Sequence, residues 1–297
     1  MKQKLKPLNQ QTIVITGASS GIGLVTARMA ARKGAKVVAA ARNEEALMML
    51  VEEIHSHGGQ AIAVVADVGN EADIGKIMMV ANETFGGVDP WVNNAGVSIF
   101  GRIEDVPTHE MRRMFDTNYW GTVYGSKAAV AHFKSYQKAG AIINVGSFFG
   151  DRSTVIQSTY STSKNPLHGF TDALRMELEK DKAHISVTLI HPGRIDTPYN
   201  DHAGNHMPQQ PAHRGMLYSP DAVADAILFS AVHPKRDMYV GFQSKVLAVA
   251  SMLSPRLMDK FLEAYGYRSQ RSDRPAEGPP GRNALQPPIW TARAWNS

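Results

Sequence analysis

The chain predicts an α/β fold built on a doubly wound parallel sheet, and three observations carry that expectation. Short β-branched or apolar runs alternate with longer helical stretches from residue 12 to about 240. Several of the runs are continuously apolar, as strands covered by helices on both faces must be. A glycine-rich stretch lies between the first run and the first helix. With 297 residues, 43% of them hydrophobic and 20% charged, the chain has ample material for a sizeable core.

In order, strands are expected at 12–16, 36–41, 61–65, 88–93, 141–145, 185–190 and, more weakly patterned, 238–240. The segments between them are long enough for crossover helices: 21–33, 43–57, 71–85, 108–136, 159–180 and 220–232. Gly34, Gly58 and Gly140 fall near the ends of three of these helices, where a left-handed residue is often needed. Residues 194–218 hold Pro198, Gly204, Pro208, Pro211 and Gly215 without a strong period, and read as a lid or binding segment. Beyond 241 the alternation stops. Residues 243–265 suggest one or two short amphipathic helices broken at Pro255. Residues 268–297 hold five of the sixteen prolines and read as extended, with Trp290 and Trp295 as possible anchors. The organisation is a basic tail over 1–10, an alternating α/β domain over 11–242, and an extension over 243–297 that is partly helical, then rich in Pro and Arg.

Composition removes several functions. There is no cysteine, which excludes disulfide scaffolds, Cys-ligated zinc and cysteine nucleophiles and fits a cytoplasmic setting. No apolar run reaches the roughly 20 residues of a membrane helix, and no signal-like stretch follows the N-terminal lysines. The net charge of +5 lies in the two ends, Lys2, Lys4 and Lys6 at one and five arginines after residue 267 at the other, and the body is nearly neutral. Solvated tails explain this better than a nucleic-acid or membrane-surface site.

Chemistry begins at Thr16-Gly17-Ala18-Ser19-Ser20-Gly21-Ile22-Gly23, directly between the first strand and the first helix. Small residues there let a pyrophosphate approach the backbone and the helix N-terminus, and Ser19 and Ser20 can add hydroxyl donors. The second strand ends Ala41-Arg42-Asn43, with no carboxylate before Glu44. A guanidinium at Arg42 suits a 2′-phosphate, so the expectation is NADP(H) rather than NAD(H). Tyr160 and Lys164 are four apart on a predicted helix and share a face. A nearby ammonium would lower the phenol from its usual value near 10. Ser147 ends a strand at the carboxyl edge of the sheet, where its hydroxyl could bond a substrate carbonyl beside the phenol. Asn118 sits midway along 108–136, a poor position for asparagine on propensity alone.

These residues, with Asp67-Val68, Asn93-Asn94-Ala95-Gly96 and Pro192-Gly193-x-x-x-Thr197, resemble the short-chain dehydrogenase/reductase family in its shorter branch, over residues 11 to about 240. The resemblance implies one Rossmann-type domain with a seven-stranded sheet, and hydride transfer with NAD(P). It implies Tyr160 as acid/base, with Lys164 lowering its pKa and holding ribose. Ser147 would polarise the carbonyl, and Asn118 would order a water for proton relay. Asp67 and Val68 would contact adenine. Asn94, Ala95 and Gly96 would line the adenosine ribose side and steady the sheet, and Pro192, Gly193, Ile195 and Thr197 would meet the nicotinamide. Pro166, two residues after Lys164, departs from the pattern and predicts a kink in that helix. The extension after 242 has no counterpart in the short pattern.

His202, His206 and His213 with Asp201 suggest a metal cluster, but their Pro/Gly-rich loop argues against it, and no metal is expected. Phe100, Phe148, Phe149 and Tyr199 are candidates for an apolar pocket or for core. The reading is an NADP(H)-dependent oxidoreductase acting on a small carbonyl or secondary alcohol. A non-catalytic NADP-binding sensor or scaffold, and a sugar epimerase or dehydratase on a related fold, remain alternatives. Apolar residues on two faces of the 108–136 and 159–180 helices, Met111, Met114, Phe115 and Val123 with Leu167, Phe170, Leu174 and Leu178, predict a dimer or tetramer.

Overall fold

The structure is a computed structural model and describes residues 4–212, 214–241, 246, 249–251 and 253–276. His213, Trp290 and Trp295 therefore lie outside the described residues. β1 (Thr12–Thr16) leads to α1 (Gly21–Arg32), β2 (Lys36–Ala41) to α2 (Glu44–Ser56), β3 (Gln60–Val65) to α3 (Glu71–Phe85), and then comes β4 (Pro90–Asn93). A short β5 (Ile99–Phe100) precedes α4 (Thr108–Phe115), a π-turn at Asp116–Trp120 and α5 (Gly121–Ser135). Next come β6 (Gly140–Val145), α6 (Phe148–Asp151), α7 (Ser158–Lys180) and β7 (Ile185–Pro192). The chain continues through α8 (Tyr199–His202), β8 (Gly204–Asn205), β9 (Gln209–Pro211), α9 (Pro220–Val232) and β10 (Asp237–Val240). It ends with α10 (Pro255–Ser269) and β11 (Arg271–Pro275).

Seven strands form one parallel sheet in the order β10-β7-β6-β4-β1-β2-β3, a Rossmann-type α/β fold. The two-residue period of the strands divides the core. Ile13, Ile15, Val37 and Ala39 point to the face covered by α1, α2 and α9, where Leu24, Leu47 and Ile227 meet them. Val14, Val38, Trp91 and Ile142 point to the other face, against Ile74, Ile77, Phe133 and Leu178. Asn43, Asn70 and Ser219 cap α2, α3 and α9 by accepting from backbone N–H groups. β1 pairs with β2 on one side and β4 on the other, so the strand order reverses there and opens a crevice at the carboxyl edge.

Two expectations change. The single helix over 108–136 is two helices joined by the π-turn. The wider turn carries Asn118, whose buried side chain clamps Val97: Oδ1 accepts from the Val97 N–H at 2.8 Å and Nδ2 donates to its carbonyl at 2.9 Å. Gly34 and Gly58 take positive φ as expected, but Gly140 does not; it belongs to β6, and Gln137 adopts the left-handed conformation instead. Glycine is needed at 140 for space, since the Phe133 ring lies 2.5 Å from where a Cβ would stand. Pro166 sits within α7, and the helix runs on to Lys180 with Tyr160 and Lys164 one turn apart, the relation the sequence reading kept.

The extension is tied to the 194–218 segment. β11 pairs antiparallel with β9, and the Ala212 N–H donates to the Gln270 carbonyl at 3.0 Å. Arg194 donates to Ser269 Oγ at 2.8 Å and lies 5.7 Å from the Tyr265 ring centre. On the other side Gln270 Nε2 donates to Thr154 Oγ1 and the Val155 carbonyl, both at 3.2 Å.

Candidate active site

A cavity of about 230 Å³ runs along the carboxyl edge of the sheet, from Ser19 and Arg42 at one end to Ser147, Tyr160 and Tyr199 at the other. Gly17, Ser20, Gly21, Ile22, Asp67, Val68, Asn94, Ala95, Gly96, Lys164, Pro192, Gly193, Ile195 and Thr197 line it between. Of the catalytic and cofactor-binding residues expected from the sequence, Asn118 alone is absent from its wall; it stands behind Gly96, within reach of the same spot as Lys164 Nζ.

The glycine turn is shaped by contact. Gly17 has φ of 70°, and a Cβ on it would stand 2.8 Å from Ala95 Cα. A Cβ on Gly23 would collide with the Gly17 carbonyl. Asn94 locks the crevice by donating from Nδ2 to the Thr16 carbonyl at 2.9 Å, while its N–H donates to Thr16 Oγ1 at 3.0 Å. Ser20 precedes α1 without capping it through its side chain, so the first N–H groups of the helix face the cavity uncapped by that hydroxyl.

At the far side of the turn, Arg42 is half-buried. Burial lowers its pKa, Asp67 opposes that, and Arg113 reinforces it. Arg113, on α4, is ion-paired with Asp67. Two guanidiniums thus surround one carboxylate. Sequence reading missed Arg113, because nothing in the spacing joins position 113 to position 42.

At the other end, Ser147 Oγ accepts from the Phe149 N–H at 3.1 Å and hydrogen-bonds Tyr160. Burial pushes the Tyr160 phenol up, and hydrogen bonds from Ser147 and Tyr199 pull against it. Lys164 is buried and donates to the Val145 carbonyl at 2.8 Å; burial lowers it to about 8. The expected lowering of the phenol by Lys164 is therefore not what the structure shows. Desolvation dominates both groups, and the ammonium rests on the backbone of β6. Asn118 Nδ2 also donates to Ser163 Oγ at 2.9 Å, which commits both amide protons to protein partners. It can hold a water through its side chain only at the second lone pair of Oδ1.

Of the four aromatic candidates, Phe149 and Tyr199 line the cavity. Phe100 is fully buried core against the Tyr199 edge, and Phe148 is buried against Phe149 without lining the wall. Ser98, Gln157 and Arg194 are lining residues that sequence reading did not select. Gln157 lies three before Tyr160, one helical turn, which is the only signal that could have found it. The loop histidines separate: His206 pairs with Glu110 at 2.8 Å and His202 joins the cavity wall. A different cluster lies beneath the Ser147 loop, where Asp151 accepts from His168 at 3.1 Å and from His191 at 2.9 Å. Among the described residues no helix is long and apolar enough to cross a membrane.

The family model described as short chain dehydrogenase matches residues 11–208. The chain is 62% identical over 276 residues to the uncharacterized oxidoreductase YxnA of Bacillus subtilis, covering 93% of this chain and 78% of that one. It is 33% identical over 228 residues to an uncharacterized oxidoreductase of Staphylococcus aureus strain USA300, covering 77% of this chain and 94% of that one. The fold, the matched span and these relatives agree, and the chain belongs to the short-chain dehydrogenase family of oxidoreductases.

Proposed function

We propose that the protein interconverts a carbonyl and a secondary alcohol using NADP(H), with Tyr160 as the acid/base. The observation that carries this reading is one continuous cavity with a glycine turn and guanidinium at one end and Ser147, Tyr160 and Lys164 at the other. The residues fit an NAD(P) dinucleotide. Gly17 packs against Ala95 so closely that any Cβ would collide, which keeps the turn free of side chain beside the cavity, and the α1 N-terminus supplies N–H donors for a pyrophosphate. Bound there, the dinucleotide supplies or accepts the hydride.

Ala41 at the end of β2 carries no carboxylate to hold ribose hydroxyls or repel a phosphate, and Arg42 comes next. Asp67 and Val68 would flank the adenine. Asn94, Ala95 and Gly96 would form the ribose side, and Pro192, Gly193, Ile195 and Thr197 the nicotinamide side. Ser147 donates to the substrate carbonyl oxygen and draws charge onto it. Tyr160 gives its proton to that oxygen as the carbon is reduced, and takes it back in the oxidation. Lys164, buried but still basic at about 8, would hold ribose hydroxyls.

A panel of steroids, quinones, ketoesters, aldehydes and sugar ketones, assayed with NADPH and with NADH, tests the reading. Oxidation of NADPH by at least one carbonyl class, with the corresponding alcohol formed, is expected. Turnover that favours NADH, or cofactor binding with no turnover on any class, would contradict it.

A further inference from the structure

We propose that Tyr199 is a positioning residue for the Tyr160 proton: its phenol donates to the Tyr160 oxygen and holds it beside Ser147. This rests on the reading of Tyr160 as the acid/base.

The two rings meet edge to face, with centroids 5.7 Å apart and planes at 74°. Phe149 grips the Tyr160 ring in the same way, at 6.5 Å and 88°. The polarity of the hydroxyl contact is set by the groups behind it. Gln157 Nε2 donates to Ser98 Oγ at 2.9 Å and to the Tyr199 oxygen at 3.3 Å. Ser98, having accepted from Gln157, bonds Tyr199 with its own proton. A phenol has two lone pairs and one proton. With Gln157 and Ser98 donating to its oxygen, Tyr199 meets Tyr160 as a donor.

Ser147 is polarised the same way. The Phe149 N–H occupies its oxygen, so its proton is directed outward to Tyr160 or a substrate. Tyr160 thus receives donors from two sides, and its own proton is the one left for a substrate oxygen in the cavity. The arrangement also decides which phenol ionises. Burial and the neighbouring Tyr160 push Tyr199 well above its usual range, whereas the bond from Tyr199 pulls Tyr160 down. Tyr199 belongs to the 194–218 segment, at the start of α8.

The test tracks the ring Cζ resonances of carbon-13-labelled tyrosine through an alkaline titration, with the Tyr160 signal assigned by its loss in Tyr160→Phe. In Tyr199→Phe the Tyr160 midpoint should rise by about one to two pH units, the worth of one hydrogen bond to a charged group. The pH profile for alcohol oxidation should move with it and lose roughly 10- to 100-fold at neutral pH, with KM little changed. Should Tyr199→Phe fail to fold, Gln157→Met keeps the Tyr199 ring and removes the donor that sets its polarity, and the midpoint again rises. A Tyr160 midpoint that stays at the parent value in the folded variant overturns the proposal. Turnover retained in Tyr160→Phe would instead remove the acid/base reading and leave the hydrogen bond standing, so the two failures read differently.

Discussion

Arg42 is the residue on which cofactor choice turns, and its surroundings sharpen the expectation. Charge-assisted contacts to a phosphate contribute roughly 1.5–3 kcal/mol each, so a 10- to 100-fold preference for NADP(H) is expected. Arg42→Ala should weaken NADPH binding by about that factor and leave NADH nearly unchanged, as read by quenching of protein fluorescence. Arg113 holds Asp67 in an ion pair and so removes much of the anion that a phosphate would otherwise meet. Arg113→Ala should therefore also weaken NADPH, by less than Arg42→Ala, while sparing NADH. Equal loss of both cofactors would make the two arginines structural only. At this scale the sequence was legible where a residue stands at the end of an element, as with Ala41 and Arg42 at the end of β2. It was silent where two distant positions meet, as with Arg113 and Asp67, or Gln157 and Tyr199. Their contacts depend on how α4, α7 and α8 pack, which no local spacing encodes.

Elements were legible from their periodicity. β1 and β2 begin and end at the expected residues because continuous β-branched and alanine runs have one way to be covered on both faces. The π-turn was not legible, because its cause is the side chain of Asn118 reaching across to Val97. The elements under the Ser147 loop carry a pH dependence. Asp151 in α6 joins His168 in α7 and His191 in β7, and His191 Nε2 reaches Asp237 in β10 at 3.2 Å. Burial works against the Asp151 charge, but the two histidines outweigh it and lower the group to about 2. Its contribution, about 2 kcal/mol, is present above pH ~4 and lost as pH falls towards 2. Burial also opposes the His191 charge, and hydrogen bonds to Asp151 and Asp237 outweigh it and raise the pKa. That contribution is complete below the unfolded value near 6.5 and lost as pH rises through the folded one. Urea midpoints should therefore peak in mildly acidic buffer and fall on either side. In His191→Asn the alkaline fall should largely vanish; a fall of the parent's size would show that it arises elsewhere.

At the scale of the molecule, the change of pattern after residue 241 was legible in the sequence, but the role of the extension was not. Its strand β11 completes a ladder with β9, and a paired edge depends on a partner some sixty residues away. A chain ending at residue 254 should lose hydrogen-exchange protection over 209–214 and melt several degrees lower. Unchanged protection there would mean that the segment orders itself. The apolar surface left for self-association is smaller than the helix faces suggested. Met114, Val123, Leu167 and Leu178 are spent in the chain's own core, and Trp120, at 44% exposed, and Met176, at 61%, remain outside on this side. A dimer or tetramer is still proposed, through that smaller face. Light scattering at micromolar concentration should give a multiple of 32.4 kDa, and Trp120→Glu should reduce it. A single-chain mass for the parent would rule assembly out. The central claim, that Tyr160 moves the proton at the end of a dinucleotide cavity, is tested most directly by Tyr160→Phe. The ring stays, the proton goes, and rapid mixing of the NADPH complex with an accepted carbonyl records the loss of the reduced cofactor. NADPH affinity close to the parent's is expected, with a rate lower by about three orders of magnitude. A rate within a few-fold of the parent would contradict it.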